Sequence, residues 1–551
     1  MKKHIAKRTI ALVFAALMAV GGLAGCNREK QTGLEEFKNR PKKVSVIYNA
    51  NAYGKEWITQ IAKEYMTKHN TDTYIHLDQT VKPTEEFSKV QNDSASADLY
   101  LFDQHLQDLE NNVEKLDDVW NSYAIGEENV TGAKLIKDKL SPLLKSWKDP
   151  RDVRSISIPY SQGTTYGFVY NKTVLDAAFP NGYTLPRTTD ELFEMGDTLK
   201  AVDLAGIDEK QDIYLMSCSY ADTNENLRYS QDLWFTQIIG YEKAIQYGEG
   251  RYYDTTTSTY VFDEEKPTIF EIYKSELQDF YNIVYKLTNA ENGYVHKDAA
   301  SMNYIYAGGA EAGAGFKANK SKTVFKVDGP YFESESKMFL ESLKSRGEEQ
   351  TMGMMHFPVA SAIINRLATI SDEETLREVI SYVDGETTSK PEGVSDADIA
   401  EVRQARGLTP MFLGGGMVIP KTSANKDGAK DFIRYICSDE AAIVSAKTLN
   451  GLEILPYGKV VTNEELGFEK SNFIASVSKW QTENLTLGNI SGEFSTWGDF
   501  SLGKGTPTIG ATIFNGRGVV ADTWWQNAYN TYAYDWADRV RNYKAHGGIT
   551  D

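Results

Sequence analysis

From Lys43 onward the apolar positions alternate between two rhythms. Val44 to Tyr48 is a short apolar run of the kind a buried strand makes, and Glu56 to His69 follows with Trp57, Ile61, Ala62 and Tyr65 on one helical face. Tyr74 to Leu77 predicts a second strand, Glu85 to Gln91 a helix, and Leu99 to Phe102 a third strand. This strand–helix–strand–helix–strand opening predicts a parallel sheet with helices on its faces. Ligands of such sheets sit beyond the carboxyl ends of the strands, which here are Asn49 to Tyr53 and Asp103 to His105.

A second unit begins near Ile158. Tyr166 to Tyr170 and Tyr214 to Ser217 predict strands, and Thr188 with Glu191 predicts a capping box that opens a helix through Leu199. Asn226 to Ile239 predicts a helix with Leu227, Leu233, Trp234 and Ile238 at helical spacing. A Gly/Ala-rich stretch, Ala307 to Gly315, leads to a strand at Thr323 to Val327. Ser371 to Gly407 is polar and charged, the pattern of a surface excursion. Met417 to Ile419 predicts a strand, and Lys426 to Cys437 a helix with Ala429, Phe432, Ile433 and Ile436 inward. The end of the chain, Trp524 to Tyr543, is helical and aromatic, and no internal repeat is visible.

Composition narrows the function. The 551 residues are enough for two to four domains. A net charge of −18 argues against a phosphate-backbone partner, so no nucleic acid is expected. Lys2, Lys3, Lys7 and Arg8 precede an apolar run from Ile10 to Leu23, too short for a spanning helix, which wants ~20 residues. The run ends Leu23-Ala24-Gly25-Cys26, which resembles a bacterial lipobox. That resemblance implies a signal peptide over 1–25, lipidation (palmitate) at Cys26, and a tether over 26–42. Each buried acyl methylene contributes ~0.8 kcal/mol, so lipid alone would hold the acidic body at the outer face of the cell membrane. Beyond Cys26 only Cys218 and Cys437 remain, which is no disulfide scaffold; two buried free thiols are the favoured reading, and the sequence leaves open whether these two pair.

Several segments together resemble the extracytoplasmic solute-binding proteins of ABC importers, the family 1, carbohydrate-type, maltose-binding-protein-like group. The clearest runs Gly414-Gly415-Gly416-Met417-Val418-Ile419-Pro420-Lys421-Thr422-Ser423, then Asn425 to Ala429 and Phe432, with Asp439-Glu440-Ala441 after the helix. Tyr170-Asn171-Lys172, preceded by Pro159 and Gly167, resembles the family's crossover into its second lobe. Pro186 to Leu192, Asp328-Gly329-Pro330-Tyr331 and Gly353 to Pro358 follow in the family's order. Thr189 and Tyr331 stand where the family usually has tryptophan. Extra segments fall at Leu204 to Gly206, Arg251 to Lys266, Ser371 to Gly407 and Phe494 to Gly518.

The resemblance implies an α/β, two-lobed periplasmic-binding-protein-like class II fold with an interlobe cleft. Its lobes would be 43–163 plus 352–448 and 164–351 plus 449–551. A solute, expected to be a carbohydrate and more specifically an oligosaccharide, would hold the lobes closed for ABC permease transmembrane subunits, with the receptor a monomer. By motif position the ligand-binding candidates are Asn49, Asn51, Tyr53, Asp103, Trp234, Tyr331, Gly415, Gly416, Trp524 and Trp525. Aromatic rings would pack on the apolar sugar face, amides and carboxylates would take the hydroxyls, and the glycines would admit close backbone approach. Competing readings exist: Trp234 also fits a core position, one of Trp524 and Trp525 an inward one, and Asp103 a helix cap.

No enzyme signature stands out. Gly498 to Gly505 lacks the Ser or Thr of a phosphate loop, and Gly313 to Ala318 is a weak dinucleotide mimic. The seven His residues are scattered without metal-ligand spacing, and no Gly-x-Ser-x-Gly elbow occurs. No catalytic residue, cofactor or metal is therefore expected. The alternatives left open are a surface-anchored carbohydrate-active enzyme, a receptor for a non-sugar solute, and a receptor feeding a sensor.

Overall fold

A computed structural model of the chain describes residues 33–49, 53–102, 106–141, 144, 155–161, 164–207, 210–217, 228–248, 250–296, 321–409, 411–412, 415–482, 530, 533–541 and 544. The first sheet grows from the opening strands. β1 (Lys42–Asn49) pairs in parallel with β2 (Thr73–Thr80) and with β3 (Leu99–Phe102). Alternation sends Val44, Val46 and Tyr48 to one core and Ile47 to another, so both faces are covered. β4 (Ile158–Pro159) completes the order β2-β1-β3-β13-β4, in which β13 (Gly416–Val418) is antiparallel to both β3 and β4.

The chain then passes through β5 (Thr164–Thr165) into a second sheet of order β11-β6-β10-β7. Its members are β6 (Gly167–Asn171), β7 (Ile213–Met216), β10 (Lys322–Asp328) and β11 (Met352–Met355). A separate hairpin, β8 (Arg251–Asp254) with β9 (Thr259–Phe262), fills the extra segment at 251–266. The return passage uses β12 (Met411–Phe412), which pairs antiparallel with β5. The two passages between the sheets therefore lie side by side as one short ladder, and the molecule is a two-lobed α/β fold with one sheet per lobe.

The expected elements form with small changes. Helix Glu56–Glu64 ends in a wider turn at Tyr65–His69, closed by a bond from the Asn70 amide to the Tyr65 carbonyl (3.0 Å). Helix Lys426–Ile436 buries Ala429, Phe432, Ile433 and Ile436 completely. Each large side chain among them contributes ~1.5–3 kcal/mol. The capping box at Thr188 and Glu191 is half formed. Thr188 accepts from the Glu191 amide (3.2 Å), but the Glu191 carboxylate takes the Arg187 amide instead (2.7 Å).

Two expectations are corrected. Residues 371–407 are two packed helices, Glu373–Val383 and Asp396–Gly407, capped by Asp372 and Ser395. They bury Leu376, Val379, Ile380, Ile399, Val402 and Ala405 in a separate core that Val359, Ile363 and Ile370 share. The apolar residues occupy one stripe per helix, so the segment reads as polar while still making a core. This pair docks on the second lobe, where Arg377 meets Glu194 (2.8 Å). The strand Met352–Met355, which the expected bounds 352–448 assign to the first lobe, is instead an edge of the second sheet, paired with β6. Helix Asn472–Thr482 covers that edge. Its Asn472 donates to the Met352 carbonyl (2.7 Å), and Ser476 accepts from the Met354 amide (2.8 Å). Cys437 is a buried free thiol. Among the described residues no helix is long and apolar enough to cross a membrane.

Candidate binding cleft

Strand direction decides which ends of the sheets face each other. In the first sheet β1 and β3 run parallel and β13 runs against them, so Gly416 stands opposite Phe102 and beside Pro159. In the second sheet β7 and β10 are parallel, β6 is antiparallel to β10, and Asp328 stands opposite Gly167. Gly167 is two residues past β5, and Pro159 five residues before it. Both sheets thus turn the carboxyl ends of their parallel strands toward the β5–β12 ladder.

From the first lobe, Tyr53 projects here on the turn after β1. Gly54 makes this turn with φ +71°, where a side chain would be strained and a Cβ would lie 3.0 Å from Glu56. From the second lobe, Tyr331 follows β10. Asp328 sets its place by accepting the Gly329 amide (2.8 Å) and pairing with Lys326 (2.8 Å). Phe332, the next residue, is anchored against Phe473 with ring centroids 5.7 Å apart. The Tyr53 and Tyr331 rings meet edge to face, with centroids 6.3 Å apart. The Tyr331 hydroxyl donates to the Tyr166 hydroxyl (2.9 Å), and the two rings are also perpendicular, at 88°. Burial, then the neighbouring Tyr166 and Asp328, pushes the Tyr331 hydroxyl far above the usual tyrosine range, so it stays a donor.

The first-lobe core next to β4 is also aromatic. Tyr160, just after β4, stacks on Trp57 at 12° with centroids 6.0 Å apart, and its amide donates to the Gly415 carbonyl (3.0 Å). Tyr457 braces the same corner by donating to the Pro159 carbonyl (2.5 Å).

Of the candidates, Asn49, Tyr53, Tyr331, Gly415 and Gly416 lie at these strand ends. Asn51, Asp103, Trp524, Trp525 and the lipidation candidate Cys26 lie outside the described residues, as do Cys218 and the glycine runs at 313–315 and 498–505. Trp234 is not at the strand ends. It is fully buried in the second-lobe core, with its indole N–H on the Pro358 carbonyl (3.0 Å), so it packs the lobe. Gly416 is explained by packing, since a Cβ there would sit 2.4 Å from Leu106 Cδ1. The sequence reading missed Tyr166 as a site residue and Tyr160 as part of the packing behind it. The available signal was an aromatic on each side of the crossover between the two units. Among the described residues no group of three or more His, Cys, Asp or Glu is placed to hold a metal. The corner offers aromatic edges, hydroxyls and backbone carbonyls, which suit reversible binding.

Solved structures share this architecture. The sugar-binding protein MalE from Xanthomonas citri superposes with a TM-score of 0.51 at 12% identity, covering 91% of this chain and 99% of its own. The bacterial solute receptor AcbH, described as preferring β-D-galactopyranose, gives 0.51 at 12% identity over 92% and 99%. An open-conformation putative binding protein, msmE of Bacillus subtilis, gives 0.50 at 14% identity over 92% and 98%. No curated protein sequence matches the chain. The model of the bacterial extracellular solute-binding proteins matches residues 51–330, half of the chain. Fold, strand-end site and family match agree, and the chain belongs to the bacterial extracellular solute-binding protein family.

Proposed function

We infer that this protein is the substrate-binding component of an ABC importer, that it captures a carbohydrate by lobe closure, and that a lipid at Cys26 keeps it on the outer face of the membrane. The observation that carries the reading is the meeting of Tyr53 from one lobe with Tyr331 from the other, at the carboxyl ends of both sheets. A solute that touches both lobes only when they close shifts the lobe equilibrium by its differential affinity. Tyrosines supply an apolar face and a hydroxyl from one side chain, which matches a sugar ring with its apolar face and hydroxyl rim. Two of the proteins of similar fold named above, MalE and AcbH, are described as taking sugars, which favours the same chemical class here. An oligosaccharide is the finer proposal, with Asn49, Asn51 and Asp103 as hydroxyl partners and Trp524 and Trp525 as further stacking rings. The lipobox-like run before Cys26 supports the anchor, and the anchored receptor would deliver its load as a monomer to the permease subunits.

The test is calorimetric titration with a panel of mono- and oligosaccharides, followed by chromatography of the sugar. Saturable one-to-one binding with the sugar recovered intact is expected. Turnover of the sugar would replace the receptor by a carbohydrate-active enzyme. Absence of binding across the panel, with binding of a charged or peptide solute, would remove the sugar.

A further inference from the structure

The aromatic corner is wired to both passages between the lobes. Tyr166 is the residue directly after β5, and its carbonyl accepts from the Thr409 hydroxyl (2.9 Å). Thr409 is two residues before β12 and only 1% exposed. Tyr166 therefore clamps one passage to the other next to their ladder. Its hydroxyl accepts from Tyr331, and the Tyr331 ring in turn meets Tyr53 of the first lobe at 81°. The contacts run without a gap from the first lobe, through the second, to both passages.

Each link is held by its own surroundings. Tyr53 is fixed by the turn at Gly54, Tyr331 by the Asp328–Gly329 turn and the Phe332 anchor, and Thr409 by burial. The Tyr53–Tyr331 contact leaves no slot between the rings. A sugar ring sandwiched between two aromatic faces needs about 3.5–4 Å on each side. A guest placed between these two rings and this contact therefore exclude one another.

We propose that Tyr53, Tyr331, Tyr166 and Thr409 form an interlobe latch that sets the lobe angle of the solute-free protein, and that a solute enters by taking the place of Tyr53 against Tyr331. The inference rests on the solute-binding reading of this cleft, yet the latch itself exists without a guest. It makes Tyr166 and Thr409 positioning residues, which act on the solute through the angle they impose.

The experiment is hydrogen–deuterium exchange on the full chain with no solute added. Peptides spanning 155–168 and 406–418 report the passages, and β1 peptides serve as the reference. An aromatic pair of this kind shifts an opening equilibrium by roughly 2- to 12-fold. Tyr53→Ala is expected to speed exchange in the passages by that factor and leave β1 unchanged. Tyr331→Phe, which keeps the ring and removes the donor to Tyr166, is expected to speed the 155–168 peptide. A wild-type rate in Tyr53→Ala overturns the latch, and so does an equal acceleration in β1, which would mean a loosened fold. Because no solute is present, a protein that shows the latch but binds no sugar would cost only the carbohydrate assignment.

Discussion

Asp98 offers the most demanding test of how the first lobe is held. It precedes β3, and its carboxylate joins two distant segments. Oδ2 accepts from the Ser45 amide (2.9 Å) and hydroxyl (2.7 Å) on β1. Oδ1 accepts from the Ser423 hydroxyl (2.9 Å) and the Ala424 and Asn425 amides (3.1 Å each), at the turn into helix Lys426–Ile436. Hydrogen bonds to a charged acceptor contribute ~1.5–3 kcal/mol each, but these share one carboxylate and are not independent. Asp98→Ala, which strands all of these donors at a site only 7% exposed, is expected to cost about 3–5 kcal/mol. Asp98→Asn replaces one acceptor by a donor and is expected to cost ~2–3 kcal/mol. The pH dependence follows from the same bonds. Burial pushes the Asp98 carboxyl up, but the Ser45, Ser423 and Asn425 donors outweigh it and hold the group below the usual carboxylate range. A depressed acid contributes stability above its unfolded value, near 3.9, and loses it as pH falls through the folded value. Urea unfolding at pH 7 and at pH 3 therefore gives a wild-type advantage over Asp98→Asn that is full at pH 7 and shrinks at pH 3. A cost below about 1 kcal/mol for Asp98→Ala, or a gap that does not change with pH, would refute the reasoning.

Three further outcomes are expected. Gly416→Ala places a methyl 2.4 Å from Leu106 Cδ1 and should destabilise by ~1–3 kcal/mol in thermal unfolding, with Leu106→Val restoring part of the loss. Burial, then Arg406 and Lys479, holds His356 well below the usual histidine range, so only the unfolded chain gains its proton as pH drops below ~6.5. Stability should fall there by up to ~1.4 kcal/mol per pH unit, and His356→Gln should flatten that slope in denaturation midpoints taken from pH 7.5 to 5. Cys26→Ser should release the protein from the membrane fraction into the medium and abolish labelling by a fatty-acid probe, and continued membrane retention would refute the anchor.

The first sheet was legible because its signals are local. Leu99 to Phe102 is a strand within the bounds its apolar run predicts, and helix Lys426–Ile436 is one residue shorter than its inward-facing pattern. The polar turn Ser423-Ala424-Asn425 was visible as a motif, but its partner Asp98 was not, because 325 positions separate that carboxylate from Ser423. The helix pair at 373–407 was hidden for a related reason. Its apolar stripe is narrow, and its charges find partners only in the fold, as Arg406 with Asp384 at the end of the neighbouring helix and Arg377 with Glu194 of the second lobe. Trp234 shows the limit at the site itself. Its helical spacing fitted a binding ring as well as a core residue, and only the acceptor at Pro358 separated the two.

The chain alone determined the opening strands and helices, their alternation and the class of fold, because periodicity, caps and apolar runs act over a few residues. It also determined which strand ends carry candidates, since a parallel sheet puts its ligand at the carboxyl ends. Tertiary structure alone decided that β11 joins the second sheet, that Gly416 is small to admit Leu106, and that Tyr53, Tyr331 and Tyr166 meet. Those facts depend on distances between segments more than a hundred residues apart. Contacts of that range are set by how whole layers pack and are not written in any local pattern.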